Sequence, residues 1–348
     1  MSIVVAILGI SFLVVVHETG HYLAARAFGM RVLRYSIGFG PPIFRYQPKG
    51  SPTVFQLCAI PFLAYVQIDG MNPAEEIDPA DPALFPNKGV LARMVTIFAG
   101  PFANYLAASL IMFGFFAGYG EAVPADQTGE MIVGEVGPGS PAEEAGMRAG
   151  DRVVEANGQP ITRMQELQEV TRPRAEQPTV YVVERDGERI SLTITPDRGP
   201  EGIGLIGVMS PHTFRPVSVQ DAAVAALKWP VYQTAIQLEG IASMFERRST
   251  EEVQGPIGMG RLAAQQAERG PTYFIPFIAL ISVALGLFNL LPFPALDGGR
   301  LVFLGLELVT RRRPNEKVEA VVHTVGLLFL LGVIVLVTFR DALAALAS

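Results

Sequence analysis

Two histidines and a glutamate near the amino terminus have a spacing that could hold a metal ion. The segment His17-Glu18-Thr19-Gly20-His21 places the histidines four positions apart. On a helix, side chains at positions i and i+4 project from one face, so both imidazoles could bind one zinc ion. Glu18 lies one position further on, where its carboxylate could accept a proton from a water that the metal activates. The spacing therefore predicts metal-assisted hydrolysis with an amine as the leaving group.

The alternative is a chance pair of helix histidines beside an unrelated glutamate. Residues 3–16 contain no polar side chain except Ser11, so the motif lies in an apolar helix. Burying two histidines and a glutamate in hydrocarbon costs several kcal/mol unless they pair or bind a metal. Ionisable groups in such a helix are functional by default, which favours the metal site.

A catalytic zinc ion usually has three protein ligands and one open position. Of the two other histidines, His212 lies in a polar block predicted on the opposite side of the membrane, and His323 has no partner at ligand spacing. Asp297 is the better candidate, because it follows a proline-broken helix at the depth of the histidine pair and two glycines follow it. The alternative role for Asp297 is to cap the next helix.

Two asparagines in apolar segments are further candidates. The side-chain amide of Asn289 could hold a substrate backbone or a developing oxyanion in a dry site. The alternative is a polar contact between helices. Asn104 has the same two interpretations. The single cysteine, Cys58, is interpreted as a small buried hydrophobe, and it excludes an intrachain disulfide or a cysteine-rich zinc site.

Four apolar segments must position these residues. Half of the 348 residues are apolar and only 17% are charged, against about 25% in an ordinary soluble protein. A net charge of −6 gives no electrostatic basis for nucleic-acid binding. The first segment has neither a basic start nor a cleavage site, which predicts an uncleaved helix. The fold class is therefore a polytopic α-helical membrane protein, with segments at 1–25, 94–119, 273–293 and 318–340.

The segments between these helices differ in composition. Residues 26–93 form a predicted loop with β-like stretches, residues 130–196 a compact domain with strands and two short helices, and residues 197–272 a linker with amphipathic helices. Residues 121–272 contain 22 acidic and 14 basic side chains, whereas the turn after the third segment contains the basic cluster 311–313. The positive-inside rule places that turn and the 26–93 loop in the cytoplasm and the 130–196 domain outside it.

Together these motifs resemble the site-2 protease family of intramembrane zinc metalloproteases. The similarity is greatest to its bacterial branch containing the regulator-of-sigma-E protease. The similar segments follow the family's order along nearly the whole chain. They are the His17–His21 motif, Ser36–Pro41, Phe98–Asn104, a PDZ-like domain at 130–196, and Asn289–Leu301 with the motif Leu-Asp-Gly at 296–298.

The resemblance implies a zinc endopeptidase in the bacterial cytoplasmic membrane, with the active site near the cytoplasmic side. It implies that His17, His21 and Asp297 bind one Zn²⁺, that Glu18 is the general base, and that Asn289, Pro292 and Pro294 help to bind substrate. The implied substrate is a single-pass membrane protein, such as an anti-sigma factor or a signal-peptide remnant. An upstream site-1 protease would trim it first. The 26–68 region would be a membrane-associated β-region that pairs with extended substrate.

Two departures from the family pattern distinguish this chain. The sequence Pro-Phe-Leu-Ala-Tyr-Val at 61–66 replaces a stretch that usually contains two glycines, and only one PDZ-like domain is predicted. Two alternative functions remain at this stage. The first is a catalytically inactive, membrane-anchored PDZ binding module or chaperone, against which the intact His17, Glu18, His21 and Asp297 set argues. The second is a zinc-dependent transporter, which would need ionisable groups at several membrane depths.

Overall fold

The chain forms two compact units. The computed structural model describes residues 2–71, 77–124, 130–137, 139–199, 202–247 and 255–347. The first unit, called the membrane unit, comprises Met1–Gly118 and Ser218–Ser348, and the second, called the inserted unit, comprises Tyr119–Val217. Each is described by itself below.

The strands lie between α1 and α5, and the described part of the chain ends in five consecutive helices; short 3₁₀ turns lie at Phe85–Asn87 and Arg172–Arg174. The helices are α1 (Ser2–Ala27), α2 (Val90–Gly118), α3 (Pro141–Glu144), α4 (Met164–Thr171), α5 (Val219–Arg247), α6 (Pro256–Glu268), α7 (Pro271–Leu290), α8 (Asp297–Thr310) and α9 (Glu316–Ala347). The strands are β1 (Val32–Tyr46), β2 (Val54–Ile68), β3 (Glu121–Pro124), β4 (Met131–Ile132), β5 (Glu135–Val136), β6 (Arg152–Ala156), β7 (Gln159–Pro160), β8 (Thr179–Arg185), β9 (Glu188–Ile194), β10 (Asp197–Arg198), β11 (Gly204–Leu205), β12 (Val208–Met209) and β13 (His212–Arg215).

Four of the described helices are long and apolar enough to cross a membrane, in agreement with the four apolar segments of the sequence. They are Ile3–Ala27, Val90–Gly118, Pro271–Leu290 and Lys317–Ala342, against predicted segments 1–25, 94–119, 273–293 and 318–340. Helix α2 packs against α1, α5, α7 and α8, and therefore occupies the middle of the membrane unit.

The third span ends earlier than predicted. Helix α7 ends at Leu290, and Leu291 already has extended backbone angles of φ −61° and ψ 141°. A proline disfavours helical angles in the residue before it, so Pro292 stops the helix at Leu290 rather than at the predicted residue 293. The chain from Leu291 to Leu296 is thereby free to form the loop that carries Asp297.

The β-like stretches of residues 26–93 form one antiparallel hairpin in the membrane unit. The sequence predicts two separate stretches at 53–58 and 64–68, but the structure joins them into the single strand β2. The pair curls along its length, so that Tyr35 of β1 pairs with both Phe55 and Val66 of β2. Repeated register shifts accommodate the prolines that interrupt the alternating pattern.

The inserted unit contains the α+β arrangement that the sequence predicts for residues 130–196. Strands β4, β6, β8 and β9 form an antiparallel sheet in that order, with β7 paired to β6. Helix α3 starts at an N-cap Ser140. The sequence predicts a second helix over 164–171 and a hairpin turn at Asp186-Gly187. Helix α4 has these bounds, and Asp186 and Gly187 connect β8 to β9 with φ angles of 53° and 84°, which suits a tight turn.

The inserted unit extends beyond the predicted 130–196 domain. Strand β13 pairs with β3, and β12 pairs with β5, so residues predicted to belong to a linker close the unit against its own start. These pairings join residues far apart in the sequence, so no local sequence pattern predicts them. Helices α5 and α6 do lie in the rest of the predicted 197–272 linker, of which residues 200–201 and 248–254 lie outside the described part.

A buried ion pair stabilises the inserted unit. Asp151 is 1% exposed, and its carboxylate accepts hydrogen bonds from Arg185 Nε at 2.7 Å, from Arg185 Nη2 at 2.8 Å and from the backbone N–H of Arg148 at 2.8 Å. Burial alone would raise the pKa of Asp151, but these hydrogen bonds outweigh it and hold the pKa below its ordinary value.

We expect Asp151→Asn to lower the free energy of unfolding of the inserted unit by about 2 kcal/mol at pH 7, because a charge-assisted pair is lost. The pKa of Asp151 is lower in the folded state than in the unfolded state, where it is about 3.9, so the ionised carboxylate stabilises the folded unit above that pH. This stabilisation disappears as the pH falls through the folded-state pKa. The gap between wild type and variant should therefore close in acid. Hydrogen exchange of β6 and β8 in the full chain measures it.

The matched control is Asp186→Asn, which removes the same charge from an exposed turn next to the pair. It should leave the protection of β6 and β8 unchanged at every pH. Equal loss of protection in the two variants would contradict the role given to Asp151.

Candidate metal centre

The structure brings the three predicted ligands together in the membrane unit. His17 Nε2 lies 3.1 Å from His21 Nε2, and Oδ2 of Asp297 lies 3.2 Å from each of these nitrogens. Among the described residues these three form the one group of histidine, cysteine or acidic side chains that could hold a metal ion. Both histidines are buried in α1, inside a span, while Asp297 comes from the first turn of α8.

Glycines allow α1 and α2 to approach closely beside the histidines. A Cβ atom on Gly20 would lie 2.1 Å from the carbonyl oxygen of Ala99, and one on Gly100 would lie 2.2 Å from Nε2 of His21. Small residues at a helix crossing permit such an approach in membranes. Any larger side chain at Gly100 would occupy the space of the His21 ring.

The backbone of α2 fixes the tautomer of His21. Nδ1 of His21 lies 2.9 Å from the carbonyl oxygen of Thr96. Because a carbonyl only accepts, Nδ1 must carry the proton, and the lone pair of Nε2 is free to point at the metal position. A backbone acceptor on the other ring nitrogen is the usual support of a metal-binding histidine.

The side chain of Asn104, also in α2, contacts the corresponding ring nitrogen of His17. Its side-chain nitrogen lies 3.2 Å from Nδ1 of His17, and its Oδ1 is buried with no hydrogen-bond partner among the described residues. Exchange of the amide oxygen and nitrogen by a 180° rotation breaks no other hydrogen bond and preserves the shape of the side chain. The oxygen then accepts the proton of Nδ1, and Nε2 of His17 is left with a free lone pair.

The loop before α8 is folded tightly against the start of that helix. A Cβ on Gly298 would lie 2.0 Å from the carbonyl oxygen of Leu291, and one on Gly299 would lie 2.4 Å from that of Phe293. This confirms the predicted close backbone approach. The alternative role of Asp297 as a helix cap is wrong, because Leu296 is the N-cap and no side chain caps the helix. The carboxylate instead points at the histidines.

The donor set fits a zinc ion. Ligand atoms at about 2.0–2.1 Å from a tetrahedral zinc lie roughly 3.3 Å apart, close to the three observed separations. With Nδ1 protonated on both histidines, three lone pairs converge, and the buried Oδ2 of Asp297 has no hydrogen-bond donor among the described residues. Such an arrangement is stable only around a cation. His17, His21 and Asp297 would therefore hold the metal.

Glu18 connects the metal centre to the β-hairpin. Its Oε2 accepts a hydrogen bond of 2.9 Å from the backbone N–H of Val66 in β2. The carboxylate lies within electrostatic range of His17, His21 and Asp297. Thus the predicted general base touches the β-region that, by the family resemblance, is expected to pair with substrate.

The remaining candidates lie elsewhere. Asn289 donates its amide hydrogen to the carbonyl oxygen of Leu285 in its own helix, at 2.9 Å. Pro292 is exposed, and Pro294 packs against α9, where a Cβ on Gly326 would lie 2.3 Å from it. A role for these three in binding substrate stays a prediction.

The two other histidines are not ligands in this structure. His212 lies in the inserted unit, and Nδ1 of His323 accepts the backbone N–H of Ala295. Asn104 makes a polar contact between helices, one of its two interpretations from the sequence, but neither its contact with a candidate ligand nor that of Thr96 was predicted. The polar character of Asn104 in an apolar segment was the signal for it, whereas Thr96 acts through its backbone and leaves no signal in the side-chain pattern.

We expect Asn104→Leu to weaken zinc binding about 10–100-fold, since the tautomer of His17 loses its support. Asn104→Asp, whose carboxylate can still accept the Nδ1 proton, should retain most of the affinity. Competition with a fluorescent chelator on folded, detergent-purified protein measures the dissociation constant. Asn289→Leu is the matched control and should bind zinc like wild type. Wild-type affinity in Asn104→Leu would refute this role.

Comparison with known proteins supports the metal centre. The model of peptidase family M50 matches residues 5–333. A protein of Rickettsia conorii named as a zinc metalloprotease is 32% identical over 98% of both chains. Two others with zinc metalloprotease names, from Mesorhizobium japonicum and a Nostoc species, are 31% and 32% identical. They cover 95% of this chain, which covers 96% and 93% of theirs.

These matches define a membrane zinc metalloprotease. The chain belongs to peptidase family M50, the site-2 protease family. The family resemblance predicted from the sequence is thereby confirmed.

One of the solved structures that are similar to part of this chain is a PDZ domain. The PDZ domain of an SdrC-like protein from Listeria innocua is 22% identical over 24% of this chain and 94% of its own, with a TM-score of 0.22. That score is too low to define a fold, so the PDZ assignment continues to rest on sequence.

Proposed function

We propose that this protein is an intramembrane endopeptidase that cuts single-pass membrane proteins within or next to their transmembrane segment. The substrates would be of the anti-sigma factor or signal-peptide remnant type, already trimmed by a site-1 protease. The protein would lie in the bacterial cytoplasmic membrane, with the metal centre near the cytoplasmic side and a PDZ domain on the other side.

The observation that carries this proposal is the position of the metal centre. His17 and His21 are buried near the carboxyl end of a helix that is long and apolar enough to span a membrane. A peptide bond must therefore reach this depth to be cut, which favours transmembrane or membrane-proximal substrates. The basic cluster at 311–313 follows α8, which begins at the metal ligand Asp297, and this supports a cytoplasmic position.

The residues of the chain divide the chemical work. When bound, zinc supplies Lewis-acid activation of water and of the scissile carbonyl. Glu18 accepts a proton from the attacking water and transfers it to the leaving amine. Thr96 and Asn104 hold the imidazoles of His21 and His17 in the orientation that the ligand set requires.

The hairpin supports a way of presenting the substrate. A helix hides its carbonyls in hydrogen bonds, so a substrate must be extended before hydrolysis. Strand β2 touches Glu18 through Val66, and pairing of substrate with the hairpin would place an extended segment beside the general base. Leu63 and Ala64 occupy the two positions where the family usually has glycine, so substrate would pair here with a strand that carries larger side chains.

The test is cleavage of a tagged single-pass model substrate by the purified protein, with chelator-treated and Glu18→Gln protein as controls. Cleavage by wild type that both controls lose is the expected result. A chain that contains stoichiometric zinc but cuts neither full-length nor trimmed substrate would contradict the proposal. Absence of both zinc and cleavage would favour the inactive binding module.

A further inference from the structure

A cavity of about 350 Å³ lies in the membrane unit beside α8. Helices α8 and α9, the start of α2 and the ends of the segment after β2 line it. It contains none of the three metal ligands. The family resemblance and the proposed proteolysis give it no role.

Two hydrogen-bond donors in this cavity lack acceptors. Nδ1 of His323 accepts the backbone N–H of Ala295 at 3.0 Å, so the neutral ring carries its proton on Nε2. That Nε2 atom is buried without a hydrogen-bond partner among the described residues, and the nearest carboxylate oxygen, on Glu319, is 4.0 Å away. The guanidinium of Arg300, a partly buried side chain, has no hydrogen bond or ion pair with another described residue, although Asp297 and Glu319 lie within electrostatic range of it. The buried donor on His323 calls for an acceptor.

The charge of the cavity points to an anionic acceptor. Its lining carries three arginines against two glutamates. Arg93 pairs directly with Glu307, and Nε of Arg313 lies 3.8 Å from the same carboxylate. Glu307 contacts two arginines, and the lining has one more arginine than glutamates, although the carboxylates of Glu319 and Asp297 lie within electrostatic range of Arg300. A tetrahedral oxyanion could accept hydrogen bonds from the guanidinium of Arg300 and from the imidazole of His323 at the same time.

The depth of the cavity indicates the source of such an oxyanion. Glu319 and His323 lie two and six residues after Lys317, where the fourth span begins, and thus within ~9 Å of its end. Lipid phosphates lie at this level of a bilayer, and basic cavities between spans are typical headgroup sites. Leu327, one turn deeper, adds an apolar wall.

We propose that this cavity binds a phosphate group, supplied by an anionic phospholipid headgroup or by a soluble phosphate ester. Arg300 and the Nε2–H of His323 donate to its oxygens. The ligand stabilises the loop that carries Asp297, because His323 holds Ala295 two residues before that ligand and Arg300 lies three residues after it. Ala295 has a φ of 77°, a strained angle for a residue other than glycine, so the loop benefits from an external contact.

The soluble source is tested by calorimetric titration of the zinc-loaded full chain in neutral detergent with inorganic phosphate and with glycerol 3-phosphate. The lipid source is tested by thermal unfolding in nanodiscs of phosphatidylglycerol against phosphatidylcholine. The variants are Arg300→Gln, Arg300→Lys, which keeps the charge and guards against misfolding, and Arg312→Gln as the matched control outside the lining.

Wild type and Arg312→Gln should bind at least about tenfold more tightly than Arg300→Gln, with Arg300→Lys between them. Binding of the soluble probes supports a phosphate ester, and stabilisation only by phosphatidylglycerol supports the headgroup. Equal binding by wild type and Arg300→Gln would place the phosphate elsewhere, for example on zinc, and overturn the proposal. No response in either arm would overturn it as well.

Discussion

Glu18→Gln should reduce the cleavage rate about 10²–10⁴-fold while the protein keeps its full content of zinc. The loss has this size because an amide cannot accept a proton from water, and general-base catalysis contributes such a factor. The side chain itself stays in place, since the amide oxygen of glutamine can still accept the N–H of Val66. Cleavage of the tagged single-pass substrate and zinc content on the same preparation measure the two effects.

Glu18→Ala distinguishes proton transfer from positioning. This variant loses the base and also the hydrogen bond to β2, so it should show faster hydrogen exchange at Val66, which Glu18→Gln should not. If purified Glu18→Gln still cut at a rate near wild type, Glu18 would not be the general base. If it lost zinc, the carboxylate would belong to the ligand set.

Asp297→Ala should lose both zinc and activity. Removing a direct ligand from a three-ligand set costs more than removing an outer support, so we expect zinc binding to weaken at least about 100-fold. Asp297→Asn keeps the shape but not the charge and should bind zinc more weakly than wild type and more tightly than Asp297→Ala. Chelator competition on folded protein gives the affinities.

Asp341→Asn is the matched control for this series. Asp341 accepts the backbone N–H of Gly258 at the start of α6 and is not a ligand, so its zinc affinity should be that of wild type. A wild-type affinity in Asp297→Ala would mean that another residue completes the site and would refute the assignment.

The local patterns of the sequence predicted the parts of this protein that depend on neighbouring residues. The spacing of His17 and His21, the glycines after Asp297 and the Asp186-Gly187 turn all follow from short-range geometry, and the structure has them as expected. The predicted end of α7 was three residues too late. A local rule would have placed it correctly, because Leu291 precedes a proline and therefore disfavours helical backbone angles.

Other features depend on how distant elements meet. The supports of the histidines come from α2, and they reach the rings only because Gly20 and Gly100 let two helices cross closely. The fusion of two predicted stretches into β2 depends on pairing with β1, which overrides the interruption at Pro61. The contact of His323 with Ala295 likewise joins α9 to a loop, and no periodicity in either segment reports it.

The separation of the ligands along the chain has a consequence for biosynthesis. His17 and Asp297 are 280 positions apart, so at bacterial rates of about 5–20 residues per second the third ligand emerges roughly 15–55 s after the first two. A chain that ends after α2 contains both histidines and their contact residues Thr96 and Asn104, but it lacks the carboxylate of Asp297. Completion of the proposed ligand set is thus a late event in synthesis, and a product truncated before α8 would lack the proposed zinc site.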